Sequence, residues 1–266
     1  MAGGICVAIL FAMVRDGIGF NDFLTDTPKL TVSVDFSQTR PDDEAAREKA
    51  EQARELLGRY YSDWQSKYGR LRRHLKINLV PTQREIDVSG SRAEGVWAWQ
   101  AFTNEEGSAV RGVMGNLYVN LNAAVISQEA LIAHESSHAF LLTYEPKLLE
   151  SWKTMTLYNE GLAEVFSVEY EPTPWRNWSK LLLAHRAREQ LKVDGLSVYG
   201  RRVVNMLTGK ARLPHDQGFF FLYVVRKGSV NLDRDLKECT NDFIQGENSR
   251  WLKENPDSFD LPAIKE

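Results

Sequence analysis

SQEALIAHESSHAFLLTY, residues 127–144, is the stretch on which the reading of this chain turns. Ser127 is a helix-capping residue type, and the apolar residues after it recur at helical spacing. Inside the run, AHESSHAF (133–140) sets His134 and His138 four residues apart, with Glu135 beside the first. Positions i and i+4 share one helix face, so each imidazole can direct a nitrogen at the same ion, about 2.0–2.1 Å away for zinc. Glu135 lies about 100° round the axis, off the ligand face but within reach of a water on the ion's open side. The bland alternative is a helix surface with two solvated histidines. The flanks ALIA and AFLL argue against it, because they bury the helix, and a buried unpaired imidazole or carboxylate costs on the order of several kcal/mol.

A catalytic zinc takes three protein ligands and leaves a fourth position to water or substrate. LYNEGLAEVF (157–166) supplies Glu160, 22 residues after His138, and the intervening segment is long enough to turn a second helix back onto the first. Glu160 and Glu164 again stand four apart on one face. A His₂Glu set follows, with one carboxylate left to hold a ligand in place. In isolation this segment would be an ordinary helix with two surface glutamates; the histidine helix reverses that preference.

HESSH (134–138) followed by NEGLAE (159–164) resembles the gluzincin metallopeptidases, the group containing thermolysin and the aminopeptidase-N-like enzymes. The resemblance is specific over residues 127–168 and looser elsewhere. It implies a zincin-like fold and one zinc ion on His134, His138 and Glu160. It further implies Glu135 as general base and Glu164 as the acidic residue that hydrogen-bonds the first ligand histidine. PHDQGFFFLYVV (214–225) is similar to the Tyr-x-x-Gly helix start of aminopeptidase-N-like enzymes, with His215 in the place of the tyrosine that donates to the oxyanion and Gly218 three residues on. Thermolysin-like enzymes use a histidine for that bond; Tyr199 is the fallback donor. GVMGN (112–116) is similar to the G-x-M-x-N strand motif of aminopeptidases, but Gly115 stands where those enzymes carry the glutamate that holds the substrate's free amine.

Around this centre the chain of 266 residues divides into strands first and helices later, an α+β arrangement. LTVSVDF (30–36), LKINLVP (75–81), GVWAWQAF (95–102) and GVMGNLYVNLN (112–122) read as strands, the last two as a hairpin or adjacent pair. PDDEAAREKAEQARELLGRYYSDWQSKYG (41–69) opens with proline and acidic residues and reads as a long amphipathic helix. Further helical segments are YNEGLAEVFSVEY (158–170), WSKLLLAHRAREQL (178–191), LSVYGRRVVNML (196–207), QGFFFLYVVRKG (217–228) and RDLKECTNDFI (234–244). The expected organisation is an N-terminal mixed sheet with the long helix and the histidine helix over 29–143, a mainly helical subdomain over 144–245, and a polar tail over 246–266.

Hydrophobic content of 43% and charged content of 26% are ordinary for a globular protein. A net charge of −3 without a basic stripe argues against nucleic acid as a partner; the basic YGRLRRHLK (68–76) reads as cations at a helix end. Two cysteines, Cys6 and Cys239, form neither a disulfide scaffold nor a metal cluster. GGICVAILFAMV (3–14) has the length of a signal-peptide apolar core, yet no Lys or Arg precedes it and Arg15 and Asp16 follow it. Signal, membrane anchor and buried segment stay open for residues 1–28, with a lean towards an exported or membrane-attached protein. His74 and His185 read as structural or solvated, and Trp97, Trp99, Trp175 and Trp178 as packing or cleft lining.

The expected activity is zinc-dependent hydrolysis of a peptide or protein substrate, with the strand carrying GNLYVNL aligning an extended chain by backbone hydrogen bonds. A zinc hydrolase acting on a non-peptide amide or ester would share the constellation. A non-catalytic zincin-fold binding module would not need Glu135 beside the metal.

Overall fold

Asp43 opens the first helix, α1 (Glu44–Tyr68), by accepting a hydrogen bond from the Ala46 amide. Ala46, Ala50, Ala53, Leu57, Tyr60 and Trp64 recur every three or four residues and are all buried, leaving the rest of the helix to polar residues. The structure is a computed structural model that describes residues 28–39, 43–83, 86–88, 91–103, 110–122, 127–144, 152–193 and 213–255. In it, α1 connects strand β1 (Leu30–Val34) to β2 (His74–Thr82), which pair in parallel. A separate two-stranded ribbon, β3 (Ile86–Val88) with β4 (Ser91–Ala93), leads to β5 (Gly95–Thr103) and β6 (Val110–Asn120). The main sheet has the order β1-β2-β6-β5, with β6 parallel to β2 and antiparallel to β5.

Alternation sends Leu75, Ile77 and Leu79 of β2, with Val113, Leu117 and Val119 of β6, into the core beneath α1 and α2 (Gln128–Leu142). The opposite face carries a polar ladder. Ser33 Oγ donates to Asn78 Oδ1 (3.1 Å), Asn78 Nδ2 to Asn116 Oδ1 (3.1 Å), and Asn116 Nδ2 to the Tyr118 hydroxyl (3.0 Å).

The position of β6 corrects one expectation, that this strand aligns a peptide substrate. GNLYVNL and GVMGN lie on a strand paired on both sides, so its backbone has no free edge for a peptide. The edge strands of this sheet are β1 and β5. Gly115 serves packing: a Cβ there would fall 2.8 Å from Trp97 Cη2 and closer still to the Ala98 carbonyl oxygen. Alternation reports which face of a strand is buried and is blind to its lateral neighbours, so the sequence could not place β6 inside the sheet.

The second half is helical: α3 (Thr156–Ser167) with a 3₁₀ turn at Val168–Tyr170, α4 (Trp175–Val193), α5 (Leu213–Phe219) running into a π-helical stretch Phe220–Val225, α6 (Leu232–Glu238) and α7 (Asn241–Glu254). Residues 234–244 form parts of two helices rather than one, because the Thr240 side chain accepts from the Phe243 amide and starts α7 afresh. The expected tail from 246 is also corrected. Residues 246–254 continue α7, with Asn248 buried and donating to the Gln217 carbonyl (3.1 Å) and Trp251 edge-on to Phe220 (5.4 Å). A polar composition hid a helix whose few inward residues are all in contact.

The main core takes residues from both sides of 143. Trp64 of α1 meets Phe140 of α2 (5.5 Å) and Phe166 of α3 (5.3 Å between ring centres). A second cluster joins Leu183, Ala184 and Ala187 of α4 to Phe219, Phe220 and Val224. Residues 3–14, LSVYGRRVVNML and Tyr199 lie outside the described residues. Among the described residues no helix is long and apolar enough to cross a membrane.

Candidate metal centre

Helix α2 is held at both ends. Ser127 Oγ accepts from the Ala130 amide (3.2 Å), and Arg73 Nη1 donates to the Thr143 and Tyr144 carbonyls at the far end (2.9 Å each). It is buried continuously from Ser136 to Leu142, so the polar side chains there need partners. Ser136 and Ser137 return hydrogen bonds to the Ala133 and His134 carbonyls (3.1 and 2.7 Å). The histidines find theirs on α3.

His134 Nε2 and His138 Nε2 each lie 3.5 Å from the same oxygen, Glu160 Oε2. That separation is long for a charge-assisted hydrogen bond. It matches the edge of a tetrahedron whose centre sits about 2.0–2.1 Å from each donor, roughly 3.3–3.4 Å. The three residues could therefore share one divalent ion, and their donor atoms all fall within 4.8 Å of one another. Two imidazoles and a carboxylate are the donor types zinc prefers.

The ring orientation supports that use. His138 Nδ1 is 3.0 Å from Asn159 Oδ1, which only accepts, so Nδ1 carries a proton and Nε2 is the nitrogen turned towards Glu160. Glu164 corrects an expectation: its Oε1 lies 3.7 Å from His134 Nδ1, too far for the hydrogen bond expected there, and accepts from His215 Nδ1 at 2.8 Å instead. His215 stacks on His134, with ring centres 5.2 Å apart, and its Nδ1 lies 3.5 Å from Glu160 Oε2.

His215 arrives there because α3 and α5 cross at bare backbone. A Cβ on Gly218 would fall 2.7 Å from Gly161 Cα and nearer still to the Leu157 carbonyl oxygen; one on Gly161 would collide with Gly218. Gly161 follows Glu160 directly, so the closest approach of the two helices is one residue from the candidate ligand.

Burial works against a charge on His134, but hydrogen bonding to Glu160 and the charges of Glu164 and Glu135 push its pKa up to about 9. Burial works against ionised Glu160 too, yet His138, His134 and His215 pull it down to about 2. The cluster thus holds a buried anion that demands a cation in its midst. In the metal-free chain a proton on His134 meets that demand; a divalent ion would meet it better.

Glu135 sits on the flank of α2 against the start of β5. A Cβ on Gly95 would lie 2.8 Å from Glu135 Cγ and 3.3 Å from its Oε1, so glycine is what leaves this carboxylate its place. The structure thus brings together His134, Glu135, His138, Glu160, Glu164 and His215. Asn159, Gly161 and Gly95 escaped the sequence reading. Asn159 was within reach of it, being the residue before the ligand Glu in NEGLAE; Gly95 carried no local signal. His185 is exposed and His74 buried within β2. Trp97 and Trp99 pack against the core, but Trp175 and Trp178 do not: they stand exposed on α4. In comparisons with protein-family models, curated proteins and solved structures, no match to this chain is found.

Proposed function

We propose that this chain is a zinc-dependent peptidase of the gluzincin type, with a zincin-like fold and Glu135 as general base. The observation that carries the reading is the convergence of His134 Nε2 and His138 Nε2 on one oxygen of Glu160, 3.5 Å from each. His134, His138 and Glu160 would hold the ion, which when bound lowers the pKa of water towards about 7 and polarises a carbonyl. Glu135 takes the proton of the attacking water and passes it to the leaving amine. Gly95 lies against Glu135 at the start of the edge strand β5, so an extended peptide that adds to that edge runs its backbone past the base. His215, with Nδ1 held by Glu164, turns its Nε2 away from that carboxylate and supplies the hydrogen bond to the developing oxyanion. A single such donor is typically worth about 10²–10³ in rate.

The test is elemental analysis of the purified full chain together with cleavage of an unfolded protein substrate. One zinc per chain, with cleavage abolished by a chelator and restored by added zinc, is the expected result. A chain that neither contains nor rebinds zinc removes the proposal. Zinc with hydrolysis of small esters or amides but no peptide cleavage moves the reading to a non-peptide hydrolase.

A further inference from the structure

Three large apolar side chains are exposed among the described residues, and all three lie on α4: Trp175 (49%), Trp178 (49%) and Leu181 (42%). Their spacing of three places them along one stripe of the helix. The opposite face is fixed to the protein by Ser179, Lys180, Leu183, Ala184 and Ala187, all buried. The two indoles meet edge to face, 6.1 Å between centres, so they form one protruding feature.

The charge of this helix is mostly positive. α4 contains Arg176, Lys180, Arg186, Arg188 and Lys192 against Glu189, a formal +4 in a chain whose total is −3. Lys180 is buried on the anchored face and its charge is met there by Glu169, 2.8 Å from Lys180 Nζ and 3.9 Å from Arg176 Nη1, so it adds nothing to the outward surface. Arg186, two turns past Trp178, is exposed. A helix with indoles and leucine outward and a surplus of cations is the pattern of a surface that settles into a lipid headgroup layer. Indoles favour that depth because the ring is apolar and its N–H is not, while anionic headgroups attract the cations. A self-association surface fits less well, since two copies would bring like charges together.

We propose that the Trp175–Trp178–Leu181 stripe of α4 docks the protein on an anionic membrane surface. The docking is peripheral and does not depend on the metal centre.

Full-length protein sedimented with vesicles of phosphatidylcholine containing phosphatidylserine, and with vesicles of phosphatidylcholine alone, tests this. The expected result is binding that favours the anionic vesicles, weakens as salt is raised, and falls at least about tenfold in the Trp175→Ala/Trp178→Ala variant. Arg186→Gln is expected to weaken binding about fivefold, the effect of one cation near such a surface. Unaltered circular dichroism and melting of the variants confirm that the fold is intact. Absence of binding by the unsubstituted chain overturns the proposal. Undiminished binding of the double variant overturns it too, because attachment then resides elsewhere, as in residues 3–14. A concentration-dependent dimer that the double variant loses, without vesicle binding, assigns the stripe to a second copy instead.

Discussion

Helices α2 and α4 break the same rule in opposite directions. α2 buries what water would welcome: two serines, a histidine and, on its margin, a second histidine and a carboxylate. α4 exposes what water expels, two indoles and a leucine. In α2 the buried serines bond back to the helix and the imidazoles approach Glu160. In α4 the described residues supply no cover for the stripe. The difference teaches that burial of polar groups marks chemistry contained inside the molecule, whereas exposure of apolar ones marks a relation with something outside it. Periodicity alone would have treated both helices as ordinary.

The strongest way to sharpen that contrast is to remove charge from α2 without removing volume. Glu135→Gln is expected to keep its zinc and lose about 10²–10⁴ in kcat on a peptide substrate, measured beside the metal content. An unaffected rate would detach the buried carboxylate from catalysis. Next comes Gly218→Ala, which drives a methyl group into the Leu157 carbonyl and Gly161. Overpacking of this kind costs about 1–3 kcal/mol, a fall of roughly 2–12 °C in Tm for a chain of this size. The same variant should bind zinc more weakly, since Glu160 adjoins the contact.

Asn159→Ala leaves the ligands in place but frees the His138 ring, and a loss of about 10–100-fold in zinc affinity is expected from competition with a chromophoric chelator. The pH dependence of binding is comparable in size over two pH units. His134, raised to about 9, carries a proton in the metal-free chain at neutral pH, and zinc must expel it. Affinity should therefore climb about tenfold per pH unit as pH rises towards 9 and level off beyond it. Calorimetry in buffers of different ionisation enthalpy should detect at least one proton released at pH 7. At the bottom of the scale, Trp175→Ala should move Tm by less than about 2 °C, because an exposed side chain away from special features contributes within about 0.5 kcal/mol. A larger drop would mean that α4 conceals a packing role and would erase the contrast with α2.

Much of this architecture was legible beforehand. The span of α1 follows from its apolar stripe and acidic start, and that of α2 from Ser127 and its flanks, because both signals are local. The approach of Glu160 to the histidines was also foreseeable, since spacing fixes which side chains share a face and chemistry says what they would share. What escaped is lateral or collective. Nothing in GNLYVNL says that strands lie on both sides of it. No single glycine announces that Gly161 and Gly218 will meet across two helices 57 residues apart in sequence. The exposure of Trp175 and Trp178 likewise depends on what the fold fails to place over them.

The π-helical stretch Phe220–Val225 has a consequence for cooperativity. Phe221 and Leu222 belong to the core beneath the sheet, while Phe220 and Val224, with Phe219 just before, belong to the cluster under α4. Consecutive residues of one widened turn are thus shared between two interiors. Neither interior can loosen without dragging the same backbone out of register, so heat or denaturant should find a single melting unit in which the sheet and α4 give way together.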